Sequence, residues 1–497
     1  MTRPQRPPVR LRSYLLAFTV IASFLIIAHG PALRLPYFWD EAGQFIPAAL
    51  DIFHLGAWVP VSTLPNVHPP GVMAYLAAVW TVFGYSITAT RIAMLLVASA
   101  AALIAFLLAI ELSRGALGAP AFTALCLLCL SPLFFAQSML AQLDMPAMCL
   151  SALALLLFLR RRFPASALVC AALVLTKETS AITPALFFCW LIAERRHRDA
   201  AWFLLPFIPL LLWLMLLHQS TGRWLGNAQF ATYNLQYPFD PVRIAFALIR
   251  RLYFLFIGSG HFIGTVALFY AWKRMPIFRS REWKIAAAFV AAHVILVSVL
   301  GGAVLERYLL PVLPVVYTAF ALSLRTLPLA SLIACLIAAS FINPPYPFPF
   351  ENNLSLISFI QLEQSAAAAV ELTTSGLAAS VFPVSDALSK PALGFVQTSR
   401  PVMEIASFSP AEIQKLKQKD PAAVIVWNRT WDPLNLLRHP LIRNFLEKNA
   451  GYVPDLSTSE ICQALTMHVA QRWQRRGMSM ELLQRGSPSD NLAADER

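Results

Sequence analysis

The sequence predicts a polytopic α-helical membrane protein with a small α/β domain at its C-terminal end, and three observations support this prediction. Only 13% of the 497 residues are charged and 58% are hydrophobic, whereas a soluble globular domain carries roughly 25% charged residues. Long apolar runs recur along the chain, and the composition then changes at a Pro-rich stretch. We expect a transmembrane domain over 1–342, a stiff linker over 343–353, an extracytoplasmic α/β domain over 354–486 and a disordered tail over 487–497.

Short basic clusters separate the apolar runs and set the predicted topology. Lys and Arg are enriched in cytoplasmic loops, so the net charge of +13 reflects topology, and no nucleic-acid partner is expected. Crossing the bilayer takes roughly 20 apolar residues, which predicts about eleven spans and an outer C-terminal domain. The predicted spans are Ser13–His29, Ile92–Leu112, Ala116–Ala136, Ala147–Leu159, the two arms of Phe163–Ala193, Ala200–Leu217, Ile257–Trp272, Ile285–Leu300, Leu309–Leu324 and Leu327–Ile342.

Other apolar segments are too short or too amphipathic to cross, and we expect them to lie at the outer interface. These juxtamembrane segments are Ala48–Leu55, Val72–Phe83 and Arg243–Phe256. The long run Phe163–Ala193 has basic residues at both ends, so it is a predicted hairpin with the polar break Thr176–Thr179 at its apex.

The C-terminal domain alternates between predicted helices and strands. A helix is predicted to begin after Ser409, where Glu412 completes a capping-box pattern. The other predicted elements are a helix over Leu354–Leu372, strands over Ala379–Val384, Val402–Phe408 and Ala422–Trp427, and a basic amphipathic helix over Ser457–Arg475.

Four polar clusters are predicted to converge on the outer face of the membrane. They come from distant parts of the sequence, and each holds residues that can bind or transfer a charged group. Cysteine offers no such signal, because six of the seven cysteines lie in apolar segments and predict neither a disulfide framework nor a metal site. The four clusters are Asp40-Glu41, His68, Asp144 with Lys177-Glu178, and Arg307-Tyr308.

The order of these motifs resembles that of the GT-C membrane glycosyltransferases over about residues 10–340. The similarity is strongest to the protein O-mannosyltransferases and the aminoarabinose lipid A transferases. It is carried by the acidic pair after the first span, PAALDIFHLGAWVP, HPPG, FGYSITATR, LDMP, the Lys-containing break LTKE and RYLLPVLP. The resemblance implies a GT-C fold and an enzyme that transfers a hexosyl or pentosyl group from a polyprenyl-phosphate donor to a hydroxyl of a lipid, glycan or protein.

The resemblance also implies roles for individual residues in an inverting single displacement. Asp40 is the expected base, with Glu41 as its catalytic partner. Arg307, Lys177 and His68 are candidates to bind the leaving phosphate, and Asp144 would orient a cation or the acceptor. A divalent cation stays an open alternative, and membrane lipids are expected to surround the enzyme. Glu178 and Tyr308 complete the predicted substrate-binding set.

The residues also permit other interpretations. Asp40 and Asp144 could cap helices, Lys177 and Glu178 could form a structural ion pair, and Arg307 could anchor a span at the interface. At the level of the whole chain, the alternatives are a transporter or flippase of a lipid-linked or anionic substrate, and a non-catalytic membrane assembly protein. A transporter typically carries charges near the middle of the bilayer and internal repeats, and neither is evident here.

Overall fold

The computed structural model describes residues 11–113, 118–232, 239–300, 303–342, 350–373, 375–428, 432, 435–449 and 452–485. The N-terminal basic segment through residue 10, most of the predicted linker (343–349) and the predicted tail (487–497) lie outside these ranges. Where the linker re-enters them, residues 350–352 form a buried 3₁₀ turn.

The first part of the chain folds as one long helix, a polar loop and a second long helix. The loop carries two short helices, as the short apolar segments predict. Ser86 caps the second long helix, since its hydroxyl accepts from Ala89 N at 3.1 Å. The helices are α1 (Leu11–Ala28), α2 (Ile46–Leu55), α3 (Gly71–Phe83) and α4 (Ile87–Leu112).

Two breaks in the next helices matter for the site. The predicted span Ala116–Ala136 is interrupted at Ser131, which is extended because Pro132 disfavours a helical conformation in the residue before it. The predicted break in Phe163–Ala193 is present at Lys177, which is also extended. The helices are α5 (Ala119–Leu130), α6 (Pro132–Gln137), α7 (Asp144–Leu159), α8 (Phe163–Thr176), α9 (Ile182–Ala193), α10 (His197–Ala201), α11 (Phe207–Thr221) and α12 (Ala228–Ala231).

The remaining apolar helices complete an integral membrane domain. Among the described residues, five helical stretches are long and apolar enough to cross a bilayer, and several shorter apolar helices accompany them; the count of about eleven spans stays a prediction. The helices are α13 (Pro241–Phe256), α14 (His261–Arg274), α15 (Arg281–Val299), α16 (Leu313–Ser323) and α17 (Thr326–Ala339).

The C-terminal part forms a five-stranded sheet in the order β2-β1-β3-β5-β4. The strands β2, β1 and β3 are parallel, and β5 runs antiparallel to both β3 and β4. The elements are α18 (Ser355–Thr373), β1 (Ala378–Val381), α19 (Val384–Ser389), β2 (Val402–Ile405), α20 (Pro410–Lys417), β3 (Ala423–Trp427), α21 (Pro440–Asn449), α22 (Thr458–Leu465), β4 (His468–Arg475) and β5 (Met478–Gln484).

The predicted helix over Ser457–Arg475 is wrong in its second half. Thr466 adopts a left-handed conformation (φ 55°) and ends α22, so the following residues form β4 instead. Arg476 and Gly477 both have positive φ, which is the geometry of a tight hairpin turn that returns the chain as β5. Pairing with β5, which sequence periodicity does not reveal, outweighs the local helical pattern.

Candidate active site

The candidate site begins at a strained turn in the loop between α1 and α2. Trp39 has φ 50°, a left-handed conformation that is uncommon for a bulky residue. Asp40 follows directly, and Glu41–Phe45 then form a single π-helical turn. Strained residues and π-turns concentrate at functional sites, and here both flank the acidic residue that the sequence singles out.

The side chain of Arg307 lies at the centre of the site and contacts three carboxylates. Its guanidinium donates to Asp40, its Nε lies 3.2 Å from Oδ2 of Asp144 and its Nη1 donates to Glu351 at 2.9 Å. Burial alone would lower the pKa of Arg307, but the charges of these carboxylates outweigh burial and raise that pKa well above its ordinary value. Arg307 is therefore a permanent cation that organises acidic groups from three distant segments.

Exposure differs sharply within this cluster. The side chain of Asp40 is 29% exposed, whereas those of Arg307 and Asp144 are each 4% exposed and that of Glu351 is fully buried. Asp40 uses one oxygen for Arg307, and within the described part of the chain its other oxygen has no hydrogen-bond partner. Asp40 is thus the carboxylate that an incoming molecule can reach.

Lys177 adds a second cation to the cluster. The helix break leaves it extended between α8 and the 3₁₀ turn Glu178–Ala181, and its Nζ donates to Oδ1 of Asp144. The same Nζ lies 4.1 Å from the centre of the Tyr308 ring, a cation–π distance. Asp144 therefore bridges Lys177 and Arg307, and Tyr308 covers one side of the ammonium group.

His68 and Glu178 form a separate pair beside this cluster. His68 Nδ1 lies 2.9 Å from Oε2 of Glu178, and both side chains are partly exposed. The His68 backbone N–H donates to Asn66 Oδ1 at 2.9 Å, which fixes the end of the outer loop. The structure thus brings together seven of the eight predicted site residues, either in the Arg307 cluster or in this adjacent pair: Asp40, His68, Asp144, Lys177, Glu178, Arg307 and Tyr308.

Glu41 is the predicted site residue that lies apart. Its carboxylate is fully buried and accepts from Arg91 Nη1 and Ala141 N, both at 2.5 Å, and from Phe38 N at 2.9 Å. These bonds occupy both oxygens, so the carboxylate has neither access to solvent nor a vacant position for a substrate. The predicted catalytic partnership with Asp40 does not fit this geometry, which is that of a structural ion pair.

Two charged residues have roles that the sequence analysis does not assign: Glu351 within the site and Arg91 in the structural ion pair beside it. Glu351 was placed in the Pro-rich linker, yet it binds Arg307 and accepts from Gln142 Nε2 at 2.9 Å. Burial raises the pKa of Glu351 to about 7, although the charge of Arg307 acts in the opposite direction. Arg91 is a lone charge at the start of an apolar span, and such a charge indicates a buried partner. No motif in the sequence marks Glu351.

The arrangement also bears on metal binding. In the part of the chain that the structure describes, no three His, Cys, Asp or Glu side chains are grouped as a metal site would require. The point where three carboxylates converge is occupied by the guanidinium of Arg307. This side chain supplies positive charge at the point where the carboxylates meet, and Lys177 adds a second charge at Asp144.

Comparisons with known proteins bear on the fold. No protein-family model matches this sequence, and no curated protein matches it. The fold nevertheless resembles those of solved structures, and this likeness agrees with the GT-C fold that the motif order predicts.

The chain resembles several solved structures along most of its length. ArnT from Cupriavidus metallidurans in the apo state has a TM-score of 0.57 at 13% identity, covering 95% of this chain and 98% of that one. ArnT from the same organism bound to undecaprenyl phosphate has a TM-score of 0.56 at 12% identity, covering 98% and 100%. The apo oligosaccharyltransferase of Archaeoglobus fulgidus has a TM-score of 0.49 at 11% identity, covering 84% and 70%.

Proposed function

We propose that this protein transfers a sugar from a polyprenyl-phosphate donor to a hydroxyl acceptor. The observation that carries the proposal is the Arg307 cluster, in which one reachable carboxylate, Asp40, adjoins two buried cations, Arg307 and Lys177. A base next to cations is what glycosyl transfer from a phosphate leaving group requires. The GT-C fold agrees with this chemistry.

The donor class follows from the cations and from the structural relatives. One similar structure, ArnT, is bound to undecaprenyl phosphate. In this chain the Lys177 ammonium group donates one of its three N–H groups to Asp144, and the others can donate to a phosphate. The guanidinium of Arg307 already contacts three carboxylates, so Lys177 is the better first ligand, with Arg307 supplying long-range positive charge.

The reaction is then a single displacement. The acceptor oxygen forms a bond to the anomeric carbon as the bond from that carbon to the phosphate oxygen breaks, with inversion. The free oxygen of Asp40 takes the hydroxyl proton, and the phosphate leaves with the electron pair next to Lys177 and Arg307. Ion pairing with Arg307 keeps Asp40 oriented for this transfer.

The other residues support these groups. Asp144 holds Lys177 and Arg307 at a fixed separation, and the Tyr308 ring shields the Lys177 ammonium. His68 and Glu178 lie at the more open side, where they suit contacts with the sugar or the acceptor. Glu41 positions the turn that presents Asp40. The basic clusters along the sequence favour the extracytoplasmic face, and a bacterial inner membrane is the proposed location.

An assay with a panel of donors tests the proposal. Purified full-length protein in nanodiscs would be incubated with polyprenyl-phosphate hexoses and pentoses and with lipid, glycan and peptide acceptors. We expect release of polyprenyl phosphate that depends on both a donor and an acceptor. Absence of release with every pair, from protein whose fold is intact by thermal unfolding, would refute the proposal.

A further inference from the structure

The C-terminal sheet contacts the turn that presents Asp40. Trp39, the residue just before Asp40, packs edge-to-face on Trp427 with ring centres 6.1 Å apart and on Phe382 with centres 5.8 Å apart. Gly43 lies against the same Phe382 ring, where an added Cβ would come within 2.6 Å of a ring carbon. Trp39 and Gly43, which lie on either side of Asp40 in sequence, thus both contact a domain that follows them by more than 300 positions.

The two aromatic rings have a common structural origin. Trp427 is the last residue of β3, and Phe382 directly follows β1. These strands are parallel neighbours, so both rings project from the same edge of the sheet. Trp427 also pairs with Met480 of β5 and packs on Phe359 of α18 at 5.1 Å, which makes the edge rigid.

Two local costs coincide at this contact. Trp39 holds a left-handed conformation, which is unfavourable for a residue with a bulky side chain. The indole N–H of Trp427 is buried without a hydrogen-bond partner among the described residues, which is also unfavourable for stability. Costs of this kind persist at functional sites, where geometry is favoured over stability.

We propose that Trp427 and Phe382 are positioning residues, which hold Trp39 and thereby aim the carboxylate of Asp40 at the reacting centre. The C-terminal domain thus contributes positioning residues to the active site. On the other side of the same ion pair, Glu351, which precedes α18, holds Arg307. Both members of the Asp40–Arg307 pair are therefore fixed by residues that follow the membrane domain. This inference rests on the proposed function for its kinetic consequence, but its structural consequence is independent.

Aromatic variants of the full-length protein in nanodiscs test the inference. Trp427→Ala removes the contact and Trp427→Phe keeps an aromatic ring. Trp473→Ala removes a half-buried tryptophan from β4 of the same sheet and is the matched control, since Trp473 makes no ring contact with Trp39 within the described ranges. Two readouts are compared: hydrogen exchange of the backbone over 36–47, and kcat and KM for the donor.

We expect Trp427→Ala to accelerate exchange over 36–47 and to lower kcat about 100-fold, since small displacements of a reacting group cost that much. KM for the donor should change only a few-fold, and Trp427→Phe should restore most of kcat. Trp473→Ala should leave both readouts near wild type even where it lowers the melting temperature.

Three results would overturn the inference. Unchanged exchange over 36–47 in Trp427→Ala would do so even if no transfer activity is found for any protein. Faster exchange with kcat within about threefold of wild type would also do so, as would an equal loss of kcat in the Trp473→Ala control. If Trp427→Ala does not fold, Phe382→Leu carries the same expectations. Wild-type inactivity with every donor, in contrast, counts against the proposed function.

Discussion

The guanidinium of Arg307 donates to the carboxylate of Asp40, although the two residues lie 267 positions apart in the chain. Asp40 comes from the loop after the first helix, and Arg307 from the 3₁₀ turn before α16. The bond joins the beginning and the end of the membrane domain at one point. It also pairs the proposed base with a cation that would stabilise the departing phosphate in the proposed reaction.

Asp40→Asn should abolish transfer. Asparagine preserves the shape of the side chain but cannot accept the hydroxyl proton, and loss of a general base costs roughly 10²–10⁴-fold in kcat. Single-turnover kinetics with the active donor would measure this, with expression and membrane insertion unchanged. Asp51→Asn is the matched control in the same loop, because the Asp51 carboxylate only accepts from Val61 N and Ser62 N at 2.8 and 2.9 Å. Comparable losses in both variants would argue against a special role for Asp40.

Arg307→Lys should not behave as a conservative change. A guanidinium reaches three carboxylates in one plane, whereas an ammonium is a compact point charge that cannot span them. We expect kcat to fall at least about 100-fold. Arg281→Lys is the control, since Arg281 makes a two-pronged contact with Glu194, at 2.6 and 2.8 Å, and neither residue belongs to the Arg307 cluster. Near-normal turnover of Arg307→Lys would show that simple charge is sufficient.

Lys177→Met should mainly weaken donor binding. It removes the cation that has N–H donors left for a phosphate, and a hydrogen bond to a charged group is worth about 1.5–3 kcal/mol. We expect KM for the donor to rise roughly 10- to 100-fold, with partial recovery in Lys177→Arg. Titration of initial rates against donor concentration measures this. Lys390→Met, which removes a lysine paired with Asp386 in the C-terminal domain, should leave KM unchanged. A fall in kcat at constant KM would assign Lys177 to another step.

Glu41→Gln should lower stability rather than chemistry. Removing one charge of the buried pair leaves Arg91 uncompensated, and breaking such a pair costs about 3–5 kcal/mol. We expect a lower melting temperature and less folded protein, with kcat per folded molecule reduced far less than in Asp40→Asn. A second change, Arg91→Met, should recover part of the stability. If the Glu41→Gln protein folded fully but were inactive, the result would support a catalytic role for Glu41, which its burial argues against.

Glu363→Met should stabilise the protein, and more so at higher pH. Glu363 is buried in α18, and neither of its oxygens has a hydrogen-bond partner within the described residues. Burial raises its pKa well above the ordinary value, so between the two pKa values the folded state binds a proton that the unfolded state has lost. Stability therefore falls as pH rises through this window. Thermal unfolding from pH 5 to 8 should show a shallower loss in Glu363→Met, and identical pH profiles would contradict the assignment.

Much of the fold could be predicted because apolar length and basic clusters are local signals. The break at Lys177 is encoded by polar residues within an otherwise apolar run. The hairpin of β4 and β5 could not be predicted in this way. The sequence of β4 also fits a helical pattern, and the pairing with β5 that stabilises the strand is not visible in the local sequence. The role of Glu351 could not be predicted either, because the Pro-rich residues before it in sequence are typical of a linker.

The sequence by itself determined the class of molecule and the chemical types at its site: an apolar helical domain, an outer loop with an acidic pair, and cations beside later spans. Tertiary structure decided which carboxylate is available for chemistry. Asp40 and Glu41 are adjacent and chemically similar, but one turn of backbone directs the first toward Arg307 with partial exposure and buries the second on Arg91. The physical reason is desolvation: a buried charge must be fully paired, and only the three-dimensional arrangement of partners reveals which charge that is.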